Sequence, residues 1–552
     1  MAIQKTTPEE LVLESTPVPA GRSAAVATDA RLKTKAWTTF QKVLFRIAFI
    51  FFVLFSIPLH LEWYKNLLGL DWLHLHYRDL YEIARFQPSV LRYFAGGRGG
   101  EGGGAPLLGY ADWFIVLGIA IVGGLIWTAL DRNRREYNLL YYWLRVIVRY
   151  RAGIGIIGFG FTKLFPTQMP YPSEGLLNTD FGDFTAQKIF WLSVGIVPWY
   201  QVFTGVVEIL AGALLFFRGT TTIGAALLLG ALGDIVFVNF AYDGGVHVYS
   251  SYFVLLAAFL LVYDARNIYD LLIRERFTVP VRIYPDLSKG WPRIARISLK
   301  TATFGIFLVW FTYLQWINFL YDPYKQPALK GVSQLRGVYN VTEFRLNNQV
   351  IPYSPLDTLR WQQATFEKWT SLTFKVNCPT KLDLSNGGGS PMRDINRTFE
   401  VSGVAGGQRV FYYEADTVNQ VLYLQDKIRK SNRATVDGRE LGGAENRRNQ
   451  PKRPKETDEK ADNWIPKEAL AVIGDEDHKI DPRAWSTRRT KGIQDESRPV
   501  KRNRMVLNYS TTDGNRVILT GINERKDSIY VVLDRVDRQY ALSPSELQAG
   551  KY

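Results

Sequence analysis

Cysteine is almost missing from this 552-residue chain, where Cys378 stands alone. A single thiol excludes an intrachain disulfide, a Cys-x-x-Cys redox pair and any cysteine-built zinc or iron–sulfur site. Histidine is nearly as scarce: His60, His74, His76, His247 and His478 leave few ligands for a metal centre, and none is expected. Residues 1–35 contain no apolar stretch of the signal-peptide kind. No cleavable signal is expected, and the first apolar helix has to serve as the membrane signal. No Gly-Lys-Ser/Thr follows the tract GGRGGEGGG, which therefore reads as a flexible hinge and not as a phosphate-cradling loop.

What the chain does contain is split in two. The mean hydropathy of -0.08 averages a very apolar first part with a polar second part. Net charge is +15, but the cations sit in clusters between apolar runs. That is positive-inside anchoring, not a groove tracking phosphates, so no nucleic-acid partner is expected.

A spanning helix needs roughly 17–25 apolar residues. Such runs occur at Val43–Leu59, Trp113–Leu130, Tyr142–Phe165, Trp199–Phe217, Thr220–Phe240, His247–Val262 and Ile297–Leu320. About seven transmembrane helices are expected, the third with several arginines in its first half. An amphipathic stretch at Phe184–Val197 and an aromatic helical pattern after Glu62 suit the membrane interface. Lys and Arg cluster before the first helix, after the second (DRNRREY), fourth and sixth, and before the seventh. If the helices alternate, all these clusters fall on one side, which places the N-terminus in the cytoplasm and the C-terminal domain outside.

After Tyr321 the hydrophobic period shifts towards two. GVYNVTEFRLNNQVIP reads as a hairpin turning at Asn347-Asn348. SLTFKVN, TFEVSGV, RVFYYEAD, VLYLQ, RMVLNYST, NRVILTGIN, DSIYVVLDRV and QYALS read as strands of a soluble all-β domain, barrel- or sandwich-like. The expected organisation is a tail (1–42), two spanning helices with a long outer loop (43–135), a four-helix core (136–275), a cytoplasmic loop (276–296), a seventh helix (297–320) and a β-rich domain (325–552). A charged stretch at 427–504 is expected to be a disordered insertion in that domain.

Arg149, Gly153, Gly160 and Lys163, followed by Glu208 and Gly212, carry a resemblance to the DoxX-like membrane proteins over Arg149–Asp264, about a fifth of the chain. The resemblance implies a four-helix core, here the third to sixth helices, and little about activity. One branch of that group includes the small subunit of an archaeal thiosulfate:quinone oxidoreductase, and a distant kinship to vitamin-K-dependent carboxylases has been suggested. No catalytic motif of either is present here.

Charged groups at membrane depth are costly and turned inward, so each is a functional candidate. Arg145 and Arg149 share a helix face, and an Arg149–Glu208 pair is expected. That pair reads either as a structural lock or as a proton-handling carboxylate beside a quinone pocket. Lys163, Asp234, His247 and Tyr249 could gather in an outward-facing polar pocket, or the basic ones could merely anchor at headgroups. The candidate catalytic set is Glu208, Arg149, Lys163 and Asp234; Arg145, His247 and Tyr249 are candidate ligand-binding residues. Gly153-x-Gly155-x-x-Gly158 matches a dinucleotide fingerprint but lies inside an apolar helix, where small residues serve close packing. His74 and His76 point apart on a helical pattern.

The leading expectation is a bacterial inner-membrane protein, an accessory or quinone-binding component of a membrane redox process, working with the bilayer and with another membrane or periplasmic protein. A non-enzymatic scaffold and a small-solute transporter are the alternatives.

Overall fold

The computed structural model describes residues 36–88, 109–278, 283–388, 392–428, 464–486 and 502–542, with the backbone of 435–436 and 439–440. The glycine tract and most of the charged stretch at 427–504 lie outside the described residues.

The first helix, α1 (Thr39–Ser56), opens on a capping box in which Thr38 and Gln41 satisfy each other's backbone amides. It stops at Ile57, held extended because Pro58 follows. Two short helices come next, α2 (Leu61–Leu68) and α3 (Tyr77–Ala84), then α4 (Ala111–Leu130) and α5 (Asn138–Leu164). The one-turn α6 (Glu174–Leu177) and α7 (Ala186–Gly195) lead to α8 (Pro198–Leu215), which has proline at its first position. Then come α9 (Thr221–Ala241), α10 (His247–Leu272) and α11 (Gly290–Tyr321), the last with a π-helical stretch at Gly305–Trp310.

Six of these, α1, α4, α8, α9, α10 and α11, are long and apolar enough to cross a membrane, by length and composition. The expected third span, α5, has the length. Arg145, Arg149, Arg151 and Lys163 set it apart from the six. The bundle wears its hydrophobic side chains outside: Phe237 is 73% and Phe203 61% exposed. Contiguous apolar surface of this kind marks contact with something other than water.

Glycine sets the closest helix pair. A Cβ added at Gly153 would lie 2.9 Å from the Gly212 carbonyl oxygen, and one at Gly160 3.0 Å from that of Gly205. The α5 and α8 backbones therefore run antiparallel in near contact, as small residues allow.

The α3 part of the aromatic segment after Glu62 departs from the interfacial reading, while α2 buries none of its residues. Tyr77, Leu80 and Ala84 of α3 are buried against the bundle, and Tyr81 packs on Phe159 of α5. His74 and His76 belong to no helix; His74 is exposed beside Asp71, while His76 is buried as the N-cap of α3. The two do not share a site.

The C-terminal part is a closed antiparallel barrel. Its eight staves are β1 (Gly337–Leu346), β3 (Trp361–Phe366), β4 (Ser371–Val376), β5 (Gln408–Asp416), β6 (Val421–Asp426), β9 (Arg504–Ser510), β10 (Arg516–Ile522) and β11 (Ser528–Val536). Each pairs with the next in that order, and β11 returns to β1 from Val338↔Val536 to Leu346↔Ile529. Short β2 (Gln349–Val350) is the return arm of the hairpin at Asn347 and Asn348, both at positive φ as a primed turn requires. An isolated hairpin, β7 (Thr435–Val436) with β8 (Arg439–Glu440), lies apart from the barrel.

The interior is filled. Trp361 stacks on Phe374 at 3.8 Å, and Leu372, Leu424, Leu507, Leu519 and Leu533 complete the core. Four sequence expectations change here. β3 was not anticipated. TFEVSGV forms turns, because Phe399 and Val404 turn towards Leu176 and Phe184 instead of joining a ladder. The described part of QYALS is not a strand. Part of the stretch expected to be disordered is folded: α12 (Lys467–Ile473) packs Ala469 and Ile473 with Tyr423 of the barrel.

Candidate functional site

The α5–α8 seam explains which charges meet. In the antiparallel register set by the two glycine contacts, Glu208 is roughly level with Ile157. Helical side chains lean towards the N-terminus, so Lys163 leans towards Glu208 and Arg149 leans away. The structure accordingly pairs Lys163 Nζ with Glu208 Oε1, and the expected Arg149–Glu208 pair does not form. Both partners are buried, and Glu208 Oε2 has no hydrogen-bond partner among the described residues.

Further out on α8, Gln201 is wholly buried and clamps Met169 through two hydrogen bonds of 3.0 Å. A cleft beside it, lined by Pro166, Thr167, Phe319 and Pro323 among others, holds about 380 Å³ of empty space, its open mouth included.

The outward-facing pocket does not assemble as expected. Asp234 is exposed on α9 and joins neither Lys163 nor His247. The His247 ring sits against Phe240 at 4.5 Å and near Tyr110. Tyr249 is buried, with its ring against Phe159 and Phe253 and under the Arg85 guanidinium. Lys163 is consumed by Glu208. The deep carboxylate that motivated the pocket faces outward because α9 turns that side away from the bundle.

Arg145 and Arg149 are brought together at the opposite end of α5, where they share a pocket with Arg218. Arg149 Nη1 donates to Thr221 Oγ1 at 3.3 Å.

Arg151 lies on a different face of α5, where an isolated basic residue is expected to reach for the headgroups. It is instead buried, its guanidinium lying against Gly155 and donating to the carbonyls of Ala84 and Phe86. Gly155 is nine residues from the end of α5, so α3 ends roughly 13 Å inside that end, at the helical rise. A helix end at that depth leaves orphan carbonyls, and Arg151 satisfies two carbonyls of this segment while resting on the Phe86 ring at 3.9 Å. The run of aromatic residues after Glu62 held no signal for this role.

Where the barrel meets the bundle, several buried charges appear that the sequence did not single out. Glu367 accepts the amides of Glu174 and Gly175 at 3.1 and 2.8 Å. Burial, aided by the Glu400 charge, pushes its carboxyl up to about 8. Glu400 is itself held by Lys427 and by Trp369 Nε1 at 2.7 Å. Lys188 donates to the Phe399 carbonyl, and burial lowers its ammonium to about 7. Asp322 and Asp394 flank the buried Arg397. Among the described residues no group of three His, Cys, Asp or Glu could hold a metal ion.

No family model matches the chain, and no solved structure matches it. It is similar to the uncharacterized protein YwoB of Bacillus subtilis (strain 168), with 31% identity over 87 residues. That alignment covers 16% of this chain and 56% of YwoB, so the chain spans about half the length of the curated relative it matches.

Proposed function

We propose that this chain is a multi-pass protein of a bacterial inner membrane, DoxX-like in its core, which holds a small lipophile of the quinone class and serves a membrane redox process as an accessory component. The observation that carries this reading is the buried Lys163–Glu208 pair, with one carboxylate oxygen left without a partner. An ammonium and a carboxylate in a low-dielectric seam exchange a proton readily when a third acceptor arrives. A quinone carbonyl is such an acceptor, and a cleft opens on the same helix at Gln201, about 10 Å along its axis from Glu208. The N-terminus lies in the cytoplasm and the barrel in the periplasm, in keeping with Arg132, Arg134, Arg135, Arg218, Arg274 and Arg276 at one set of helix ends. The chain supplies the lipophile site, and a partner supplies electrons.

A second reading, a non-enzymatic scaffold, is favoured by one observation: the barrel interior is packed and the barrel is fastened to the α5–α8 connection by buried polar contacts. Such a barrel offers a partner only its outside.

Mass spectrometry of small molecules carried by the full chain in mild detergent separates the two. A stoichiometric quinone that disappears in Glu208→Gln, while the variant stays monodisperse, supports the redox reading. Absence of any bound lipophile from the wild-type chain, with a reproducible envelope-protein partner, sinks it and leaves the scaffold.

A further inference from the structure

The end of α5 away from the barrel carries a second cluster of charge, and it is all of one sign. Arg145 and Arg149 of α5, Arg218 after α8 and Thr221 at the start of α9 line one pocket with Tyr142 and Tyr284. Its empty space is about 320 Å³, mouth included. Lys300 of α11 stands close by, its ammonium 3.9 Å above the Phe217 ring and electrostatically coupled to Arg149 and Arg218.

None of the three guanidiniums makes an ion pair with a carboxylate among the described residues. Arg145 lies flat on the Tyr263 ring at 3.6 Å and Arg218 over Tyr284 at 4.4 Å. Arg149 is 8% exposed; among the described residues it makes one hydrogen bond, to the Thr221 hydroxyl, and its Nε has no partner. Asp264, next to Tyr263 on α10, accepts from the Thr222 hydroxyl at 2.6 Å. The 21-residue α9 begins here with no side-chain cap on its first amides, adding its positive end to the same space.

Three like charges around a half-buried space repel one another, and an anion between them would remove that cost. Stacking on tyrosine rings fixes the guanidinium planes while leaving their edges free to donate. A forked donor set of this kind matches the oxygens of a phosphate group. We infer that Arg145, Arg149 and Arg218 form a site for a phosphate-bearing anion at the end of the bundle opposite the barrel. An anionic phospholipid headgroup is the source at hand, since basic pockets between helices at this level take such headgroups. Free phosphate shares the chemistry. The site uses none of the residues of the Lys163–Glu208 pair, so either can fail without the other.

The test is native mass spectrometry of the full chain, stripped of lipid in mild detergent and titrated with phosphatidylglycerol, phosphatidylcholine or inorganic phosphate. Phosphatidylglycerol should be retained in preference to phosphatidylcholine. Arg218→Gln, at an exposed position that folding does not depend on, should weaken that retention about five-fold, and Arg149→Gln with it by more. Arg132→Gln, on the same side but outside the pocket, should change nothing. Displacement of the lipid by millimolar inorganic phosphate would support the site with a soluble occupant, and indifference to phosphate would support the headgroup. Equal retention of the two lipids, or an Arg218→Gln chain that binds like Arg132→Gln, would overturn the inference.

Discussion

The two parts of the molecule solve the same problem with opposite surfaces. In the barrel, Phe374, Phe411 and Leu519 are inside and the charged pair Arg516–Asp534 is outside. In the bundle, Phe114, Ile126 and Phe237 face outward while Arg149, Arg151, Lys163 and Glu208 are buried. The hydrophobic effect drives apolar groups out of water, and it has no grip on them where the surroundings are as apolar as they are. The barrel is therefore held by its core, and the bundle by close backbone contact and by polar groups that have nowhere else to go.

That contrast can be broken in stages, starting with the strongest expected effect. Gly205→Leu puts a side chain where a Cβ alone would lie 2.4 Å from the Leu164 amide nitrogen. The variant is expected to lose nearly all folded protein in detergent, whereas Gly230→Leu, with open space around it, should accumulate normally; size-exclusion profiles decide between them.

Removing one partner of the buried pair comes next. Lys163→Met strands the Glu208 carboxylate and should cost about 3–5 kcal/mol, most of it regained in Lys163→Met/Glu208→Gln. Thermal unfolding of the three chains measures this, and equal losses in single and double variants would refute it. In the barrel, Trp361→Ala removes a wholly packed ring and should cost about 3–5 kcal/mol, with Phe237→Ala on the outside of the bundle costing far less.

The smallest effect is one of pH. Glu367 has its folded pKa raised to about 8 from the ordinary carboxyl value of 4.5. The folded state then holds a proton that the unfolded state has released, so this group's contribution falls as pH rises from 4.5 through 8. Lys188, lowered to about 7 from 10.5, acts oppositely, and its contribution rises between pH 7 and 10.5. Glu367→Gln should flatten the decline in melting temperature between pH 5 and 8; an unchanged slope would remove Glu367 as its source.

The same physics decides what could be read from residues alone. Helices long and apolar enough to cross a membrane advertise themselves through long unbroken apolar runs, and β5, β6, β9, β10 and β11 did so through alternation. Strand β3 was silent because Gln362 and Gln363 interrupt its pattern, yet Trp361, Ala364 and Phe366 are core. Phe399 and Val404 gave a false strand because they are buried by the α5–α8 connection and not by a sheet. Of the candidate site, Arg145 with Arg149, and Lys163 and Glu208 as polar groups at depth, were legible. The pairing was misassigned for want of the helix register, which Gly153, Gly160, Gly205 and Gly212 set. Burial of α3, the role of Arg151 and the exposure of Asp234 depend on contacts between segments far apart in sequence.

The seam between β1 and β11 has a consequence for biogenesis. Val338 pairs with Val536, so the first stave stays open on one side while nearly two hundred further residues are made. At ordinary synthesis speeds of about 5–20 residues per second, that delay is on the order of ten to forty seconds. Throughout it β1 presents a bare strand edge, a template for pairing with any extended neighbour. Closure of the barrel therefore waits for the last stave, and ribosome-stalled chains ending before Ser528 should be more protease-sensitive and aggregation-prone than full-length chains.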